Sequence, residues 1–257
     1  MGILDGKKIM VTGVTMNTSI AYAVARIAQE QGAEVIVSNF GRGMSLTNRV
    51  VKKLDPVPAV LDLNVTDPQA LADLPGVLRE HGFDHLDGVV HSVAYANPAT
   101  ALGGAFLTTG WEDVATAVHT SAYSLQSLTM AVRDLLSTGS SVVGLTFDAT
   151  VSWPTYDWMG VAKAALESTN RYLARYLGPD GIRCNLVAAG PVDTIAKKAI
   201  PGSTDFNAVW EQRAPLGWDP KDATAVGKAV VALLSDWFPM TTGTMLHVDG
   251  GLHSTGA

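Results

Sequence analysis

Seven short apolar runs punctuate the chain: KKIMVTGV, AEVIVSNF, VPAVLDLNV, LDGVVHSVAY, SSVVGLTFDA, IRCNLVAAGPV and TMLHVDGG. Each is rich in Val, Ile and Leu and ends in small or turn-forming residues, the mark of strands buried on both faces. Between most of them the period is that of a helix. In SIAYAVARIAQEQG, Ile20, Val24, Ile27 and Ala28 fall on one face and Gly32 supplies a stop. Doubly buried strands alternating with helices predict an α/β fold with a doubly wound, seven-stranded parallel sheet flanked by helices. No Pro/Ser/Gly-rich linker or charge run divides the sequence, so a single domain over residues 1–257 is expected.

Such sheets bind ligands beyond the carboxyl ends of their strands, where strand order reverses, so the residues just after each apolar run are where chemistry is expected. After the first run comes TGVTMNTSIAYAVA. A dinucleotide pyrophosphate needs a tight turn with little side-chain bulk, then a helix N-terminus with free N–H groups. Gly13 can make the turn, and Ser19 can cap the helix or donate to phosphate. A Gly-assisted strand–helix turn with a Ser cap explains the same residues, because only one glycine of the usual three is present. Asp62 interrupts an apolar strand at its end, where a buried carboxylate needs a partner: an adenine amine or loop N–H groups. Phe40 can stack on adenine or belong to the core. NFGRG carries no acidic residue for the adenosine 2'-hydroxyl, and Arg42 leaves NADPH open beside the favoured NADH.

Composition narrows the function classes. The chain has 47% hydrophobic side chains and a net charge of -6, enough for a large core and the wrong sign for a nucleic-acid binder. The one cysteine, Cys184, can form no internal disulfide, and no Cys/His cluster has metal-ligand spacing; the pair in HVDGGLH comes nearest. No metal is expected. The N-terminus reaches a strand at once and no apolar run approaches 18 residues, so a cytoplasmic protein without membrane attachment is expected.

The stretch SWPTYDWMGVAKAALESTN holds Tyr156 and Lys163 seven positions apart. Seven helical residues rotate about 700° and rise about 10 Å, so the two share a face without close contact. A lysine four residues after the tyrosine would lie about 6 Å along the axis, close enough to favour phenolate. That position is Gly160. Lys163 is therefore expected to hold something else, such as sugar hydroxyls, while Tyr156 works on substrate. The competing explanation is an aromatic packing cluster of Trp153, Tyr156, Trp158 and Met159 with a snorkelling lysine. Against it, the strand end LTFDATVSW should bring Phe147 to the same crevice, and the Gly-Pro break in VAAGPVDT should place Val192 and Thr194 there.

Together, TGVTMNTSIA, LDGVVHSVAY, YDWMGVAK followed by ALES, RCNLVAAGPVDT and the final HVDGG resemble the enoyl-acyl carrier protein reductases of type II fatty acid synthesis, within the short-chain dehydrogenase/reductase superfamily. The likeness is greatest to the actinobacterial, mycobacterial-like branch, because Phe147 stands where many bacterial relatives carry a second tyrosine. The resemblance implies a Rossmann fold and places Gly13, Ser19 and Ile20 along the pyrophosphate of NADH, Asp62 and Leu63 around adenine, and Phe40 on the adenosine side. It places Val192 and Thr194 toward the nicotinamide and phosphate end, counts Ser92 and Val93 among the cofactor-binding residues, and sets Lys163 on the nicotinamide ribose. Hydride would reach C3 of a trans-2-enoyl thioester while the Tyr156 hydroxyl stabilises the enolate, with Phe147 beside it. Tyr95, Met159, Ala196 and Ile200 would line the acyl pocket.

The segment from about 194 to 218 should form a substrate-binding flap, because it is too long for a mere connection. It is shorter than in the mycobacterial long-chain enzymes, which implies short or medium acyl chains. Lys197 and Lys198 on it could dock an acidic acyl carrier protein, or belong to a solvated face. HTSAYSLQSL resembles a subunit face of the family, which implies a homotetramer. Two other functions fit the residues less well. A reductase of a 3-oxo or other conjugated carbonyl is disfavoured by Gly160, and a non-catalytic NAD(P) sensor has no need of the Tyr156 phenol.

Overall fold

The computed structural model describes residues 1–256. All seven apolar runs are strands: β1 (Lys8–Thr12), β2 (Glu34–Asn39), β3 (Val60–Asp62), β4 (Leu86–His91), β5 (Leu136–Thr146), β6 (Arg183–Ala189) and β7 (Met245–Val248). They form one parallel sheet in the order β3-β2-β1-β4-β5-β6-β7. The order reverses between β1 and β4, and the crevice predicted for such a sheet opens there.

Successive residues of a strand face opposite sides, and the sheet uses both. Ile9 and Val11 of β1 pack with α1 (Ile20–Glu30) and, near the end of the chain, Val230 and Leu233. Between them, Met10 packs into the other layer with Ile36, Val89, Leu78, Leu125 and Leu166. Each of these fully buried side chains stabilises the fold by about 1.5–3 kcal/mol. The two edge strands depart from expectation: β7 is only partly buried along its length, and β3 ends in an exposed Asp62. Each lacks a neighbour on one side, so covering is incomplete.

The other helices are α2 (Met44–Val50), α3 (Pro68–Glu80), α4 (Trp111–Val118), α5 (Ser124–Ala131), α6 (Asp157–Leu177), α7 (Ile195–Lys198), α8 (Thr204–Arg213) and α9 (Thr224–Leu234). A single wide π-type turn, His119–Tyr123, joins α4 to α5. Gly32 follows α1 at φ +91°, as the stop signal predicted. Along α6 the buried stripe runs Met159, Ala162, Lys163, Leu166, Glu167, Asn170, Leu173. Two ionisable residues thus occupy positions that helical period reserves for the core. The segment 194–218 holds α7 and α8, and α8 turns Phe206 and Trp210, four residues apart, inward.

Candidate active site

The crevice is a cavity of about 670 Å³ running from Gly13 and Phe40 at one end to Tyr156 and Phe206 at the other. One end is built by the first turn. Thr12 Oγ1 donates to Val90 O (2.9 Å) and accepts from Ser92 N (3.1 Å), tying β1 to β4 at the reversal. Gly13 follows at φ +78°, where a Cβ would lie 2.1 Å from Ser92 O, so no other residue fits without moving backbone. Ser19 Oγ accepts from Tyr22 N (3.3 Å) and donates to Met16 O (2.6 Å). It caps α1 and also lines the cavity. Asn39, at the end of β2, braces the loop by donating to Val14 O (2.9 Å) and Thr47 Oγ1 (2.9 Å).

Further along, Ile20, Leu63, Ser92, Val93 and Tyr95 line the cavity, with Phe40 on its rim at 45% exposure. The π-type turn holds Tyr95 in place: Ser121 Oγ accepts from its N–H and donates to its carbonyl, both at 3.0 Å. Asp62 departs from expectation. Its side chain is exposed and does not line the cavity, so no buried carboxylate demands a partner there. As the last residue of an edge strand, it has no layer above it.

Tyr156 stands just before α6, between Thr155 (φ +61°) and Asp157 (φ +43°). Left-handed backbone costs a non-glycine residue about 1–3 kcal/mol, and two such residues flank the tyrosine. A loop from residues 101–106 holds them. The Asp157 carboxylate accepts from Gly104 N (2.6 Å) and Ala105 N (3.0 Å), and Gly103 N donates to Thr155 O (2.9 Å). The rotation estimate for Tyr156 and Lys163 assumed one regular helix, which begins only at Asp157; both nonetheless line the same crevice. Phe147 stands edge-on to Tyr156, ring centroids 5.2 Å apart. An added Cβ on Gly160 would meet only the Tyr156 ring, at 3.7 Å.

Charge is arranged in a small network beneath the cavity. The Lys163 ammonium donates to Leu145 O (2.9 Å) at the end of β5. Burial lowers its pKa to about 8, against the pull of Glu167 one turn on. Glu167 accepts from Thr146 Oγ1 and Ala149 N (both 3.1 Å), and burial raises its pKa. Burial, then the Glu167 charge, raises the Tyr156 pKa well above that of an ordinary phenol, so Tyr156 is a neutral hydrogen-bond donor at physiological pH. Behind them His91 is fully buried, with Nε2 2.7 Å from Ser124 Oγ. Because Ser124 Oγ donates its one proton to Thr120 O (2.6 Å), His91 carries its proton on Nε2. Burial, aided by the Lys163 charge, lowers the His91 pKa to about 3.

The far wall is the segment after β6. Val192, Thr194, Ala196 and Ile200 line the cavity, opposite Met159. Lys197 does not face solvent: it is buried, its ammonium paired with Asp193 (2.6 Å) and Asn207. The hydrogen bond from Lys197 lowers the Asp193 pKa. This lysine fastens the segment after β6 to itself, which removes it from a docking face and leaves Lys198 exposed.

The family model described as enoyl-(acyl carrier protein) reductase matches residues 13–253. An enoyl-[acyl-carrier-protein] reductase [NADH] of Mycolicibacterium smegmatis is 44% identical over 263 residues, covering 97% of each chain. That of Mycobacterium avium is 43% identical with the same coverage, and one from Neisseria meningitidis is 36% identical over 98% of this chain and 96% of its own. The chain belongs to the enoyl-(acyl carrier protein) reductase family.

In this enoyl reductase family member, every residue expected at the cofactor or substrate site except Asp62 lines one cavity. Sequence reasoning missed Asn39, Thr120, Ile195 and Phe206. Asn39 carried a signal, a polar residue ending an apolar strand. Phe206 carried none, because its neighbours are far away in sequence.

Proposed function

We propose that the protein reduces the trans-2 double bond of enoyl thioesters, bound to acyl carrier protein or coenzyme A, in fatty acid elongation, with NADH as reductant. The observation that carries this reading is the separation of Tyr156 from Lys163: the phenol is held neutral beside Phe147, and the ammonium is drawn away to the end of β5. An i, i+4 lysine would lower the phenol's pKa; Gly160 leaves it high.

The residues fit a dinucleotide. Gly13 gives the close backbone approach that a pyrophosphate needs, and the capped N-terminus of α1 offers N–H groups beside it. Ser19 and Ile20 would complete that site, with Phe40 and Leu63 around the adenosine; Asp62 lies outside the cavity and would reach the adenosine only from solvent. Lys163 would hold ribose hydroxyls, and Ser92, Val93, Val192 and Thr194 the nicotinamide end. The bound cofactor supplies the hydride for C3. Tyr156 donates a hydrogen bond to the thioester oxygen, which gains negative charge as C3 is reduced, and this favours the transition state over the bound substrate. Tyr95, Met159, Ala196 and Ile200 exclude water around the acyl chain. No helix among the described residues is long and apolar enough to cross a membrane, which suits a cytoplasmic enzyme. Tyr172 and Tyr176, exposed on the outer face of α6, favour a subunit contact in a homotetramer.

Absorbance of NADH and NADPH, followed with trans-2-octenoyl-CoA and with a 3-oxoacyl-CoA, tests the reading. NADH consumption with the enoyl thioester is expected. Turnover of only the 3-oxo compound would make the protein a carbonyl reductase. Tyr156→Phe should lower kcat by about 10²–10³-fold while leaving NADH affinity nearly unchanged.

A further inference from the structure

A second cavity, of about 390 Å³, lies behind the first. It is lined by Val151, Trp153, Val209 and Leu252, together with polar groups that include Asp148 and Arg213. Among the described residues one side chain lines both cavities: Phe206. Its ring is 5.6 Å from that of Phe147, 6.5 Å from that of Tyr156 and 6.3 Å edge-on from that of Trp153, which itself packs on Phe147 at 5.0 Å.

We propose that Phe206 is the stop that fixes the length of acyl chain the crevice accepts, and that the second cavity is space it withholds from the substrate. The inference rests on the enoyl thioester reading above. An acyl chain whose reacting carbons lie at Tyr156 extends along the apolar walls of Met159, Ala199 and Ile200, and Phe206 closes that space. The ring is fixed rather than free to swing aside. It is 5% exposed, and the helix that carries it, α8, is fastened to the end of the chain. Trp210 Nε1 donates to Asp249 O (3.0 Å), and Arg213 donates to Thr255 O (3.2 Å) and Gly256 O (2.7 Å). Within this aromatic wall Phe206 is the member that meets both cavities, and it sits on a tethered helix. Removing that ring joins the two cavities past Trp153, where Val151, Val209 and Leu252 offer an aliphatic path.

The test is the profile of kcat/KM across trans-2-enoyl-CoA substrates of four to sixteen carbons, for the intact protein and its variants. The intact protein should fall off toward the long end. Phe206→Ala should raise the ratio of sixteen-carbon to eight-carbon kcat/KM by about tenfold or more, since even one methylene in an apolar pocket is worth that much. Phe206→Leu, which keeps the core filled, should move the profile in the same direction by less. Adding Val209→Trp to Phe206→Ala refills the space behind and should restore the short-chain profile, whereas Val209→Trp alone should leave it unchanged. An unaltered profile in folded Phe206→Ala and Phe206→Leu, with turnover retained, overturns the chain-length stop and leaves the enoyl reductase reading standing. NADH consumption with no enoyl thioester of any length overturns that reading itself.

Discussion

Lys163 is a cation placed where water cannot solvate it, so its protonation is easily shifted. If the ammonium holds the cofactor's ribose, the binding-competent protein is the protonated one. NADH affinity should then be steady below pH 8 and weaken as pH rises through about 8, by up to about tenfold per unit beyond it. Fluorescence titration of NADH from pH 6.5 to 9.5 measures this, and Lys163→Met should bind weakly with no inflection. Stability without cofactor runs the other way. Between about 8 and 10.5 the unfolded lysine holds a proton that the folded one has released, so folding becomes more favourable as pH rises across that window. Opposite slopes for cofactor affinity and apo-protein melting separate this lysine from a generic alkaline loss of structure. An NADH affinity that is flat to pH 9.5 would remove Lys163 from the ribose. The residue was legible in the sequence as a partner of Tyr156. Its hydrogen bond to Leu145 O was not, because that contact joins a helix to a strand end 18 residues earlier.

At the scale of elements, the strands were legible because burial on both faces leaves an unbroken apolar run, and the reversal point follows from their order. The turn before α6 was not. Thr155 and Asp157 are ordinary residues in sequence, and their left-handed backbone is imposed by the 101–106 loop. That loop predicts what the Asp157 carboxylate is for. Asp157→Ala leaves two N–H groups without their acceptor, at a cost of about 1–3 kcal/mol, and lets the turn relax. Turnover should fall because Tyr156 is no longer fixed, while NADH affinity stays within about twofold, the pyrophosphate end being untouched. Asp157→Asn, which retains an acceptor oxygen, should recover part of the activity. Asp157→Gly separates strain from anchoring: it fits the backbone but lacks the acceptor, so it should behave like Asp157→Ala. Activity in Asp157→Gly equal to the parent's would mean that only backbone conformation matters there.

Across the whole molecule, what sequence reading missed lies in contacts between distant segments. HVDGGLH was notable in the sequence as a weak ligand pair, yet its histidines join this late turn to the loop after β5. His247 Nε2 is 3.0 Å from Asp148 in the loop after β5, and His253 stacks on His247 with ring centroids 3.8 Å apart. Asp249 organises this end. Its buried carboxylate accepts from Gly251 N and His253 N (2.9 Å each) and pairs with His253 Nδ1 at 3.0 Å, while its carbonyl receives Trp210 Nε1 from α8. The terminal turn is thus a strut for the helix that bears Phe206. Asp249→Ala removes charge-assisted acceptors from a buried turn and should destabilise the protein by about 2–3 kcal/mol. For a chain of this size that is a fall in Tm of about 4–12 °C, read by thermal denaturation. Below that temperature the loosened α8 should raise KM for enoyl substrates severalfold, with NADH affinity little changed, because the end proposed for the dinucleotide is built by β1, β2 and α1. Equal losses in both would mean that the turn supports the sheet as a whole rather than the acyl end.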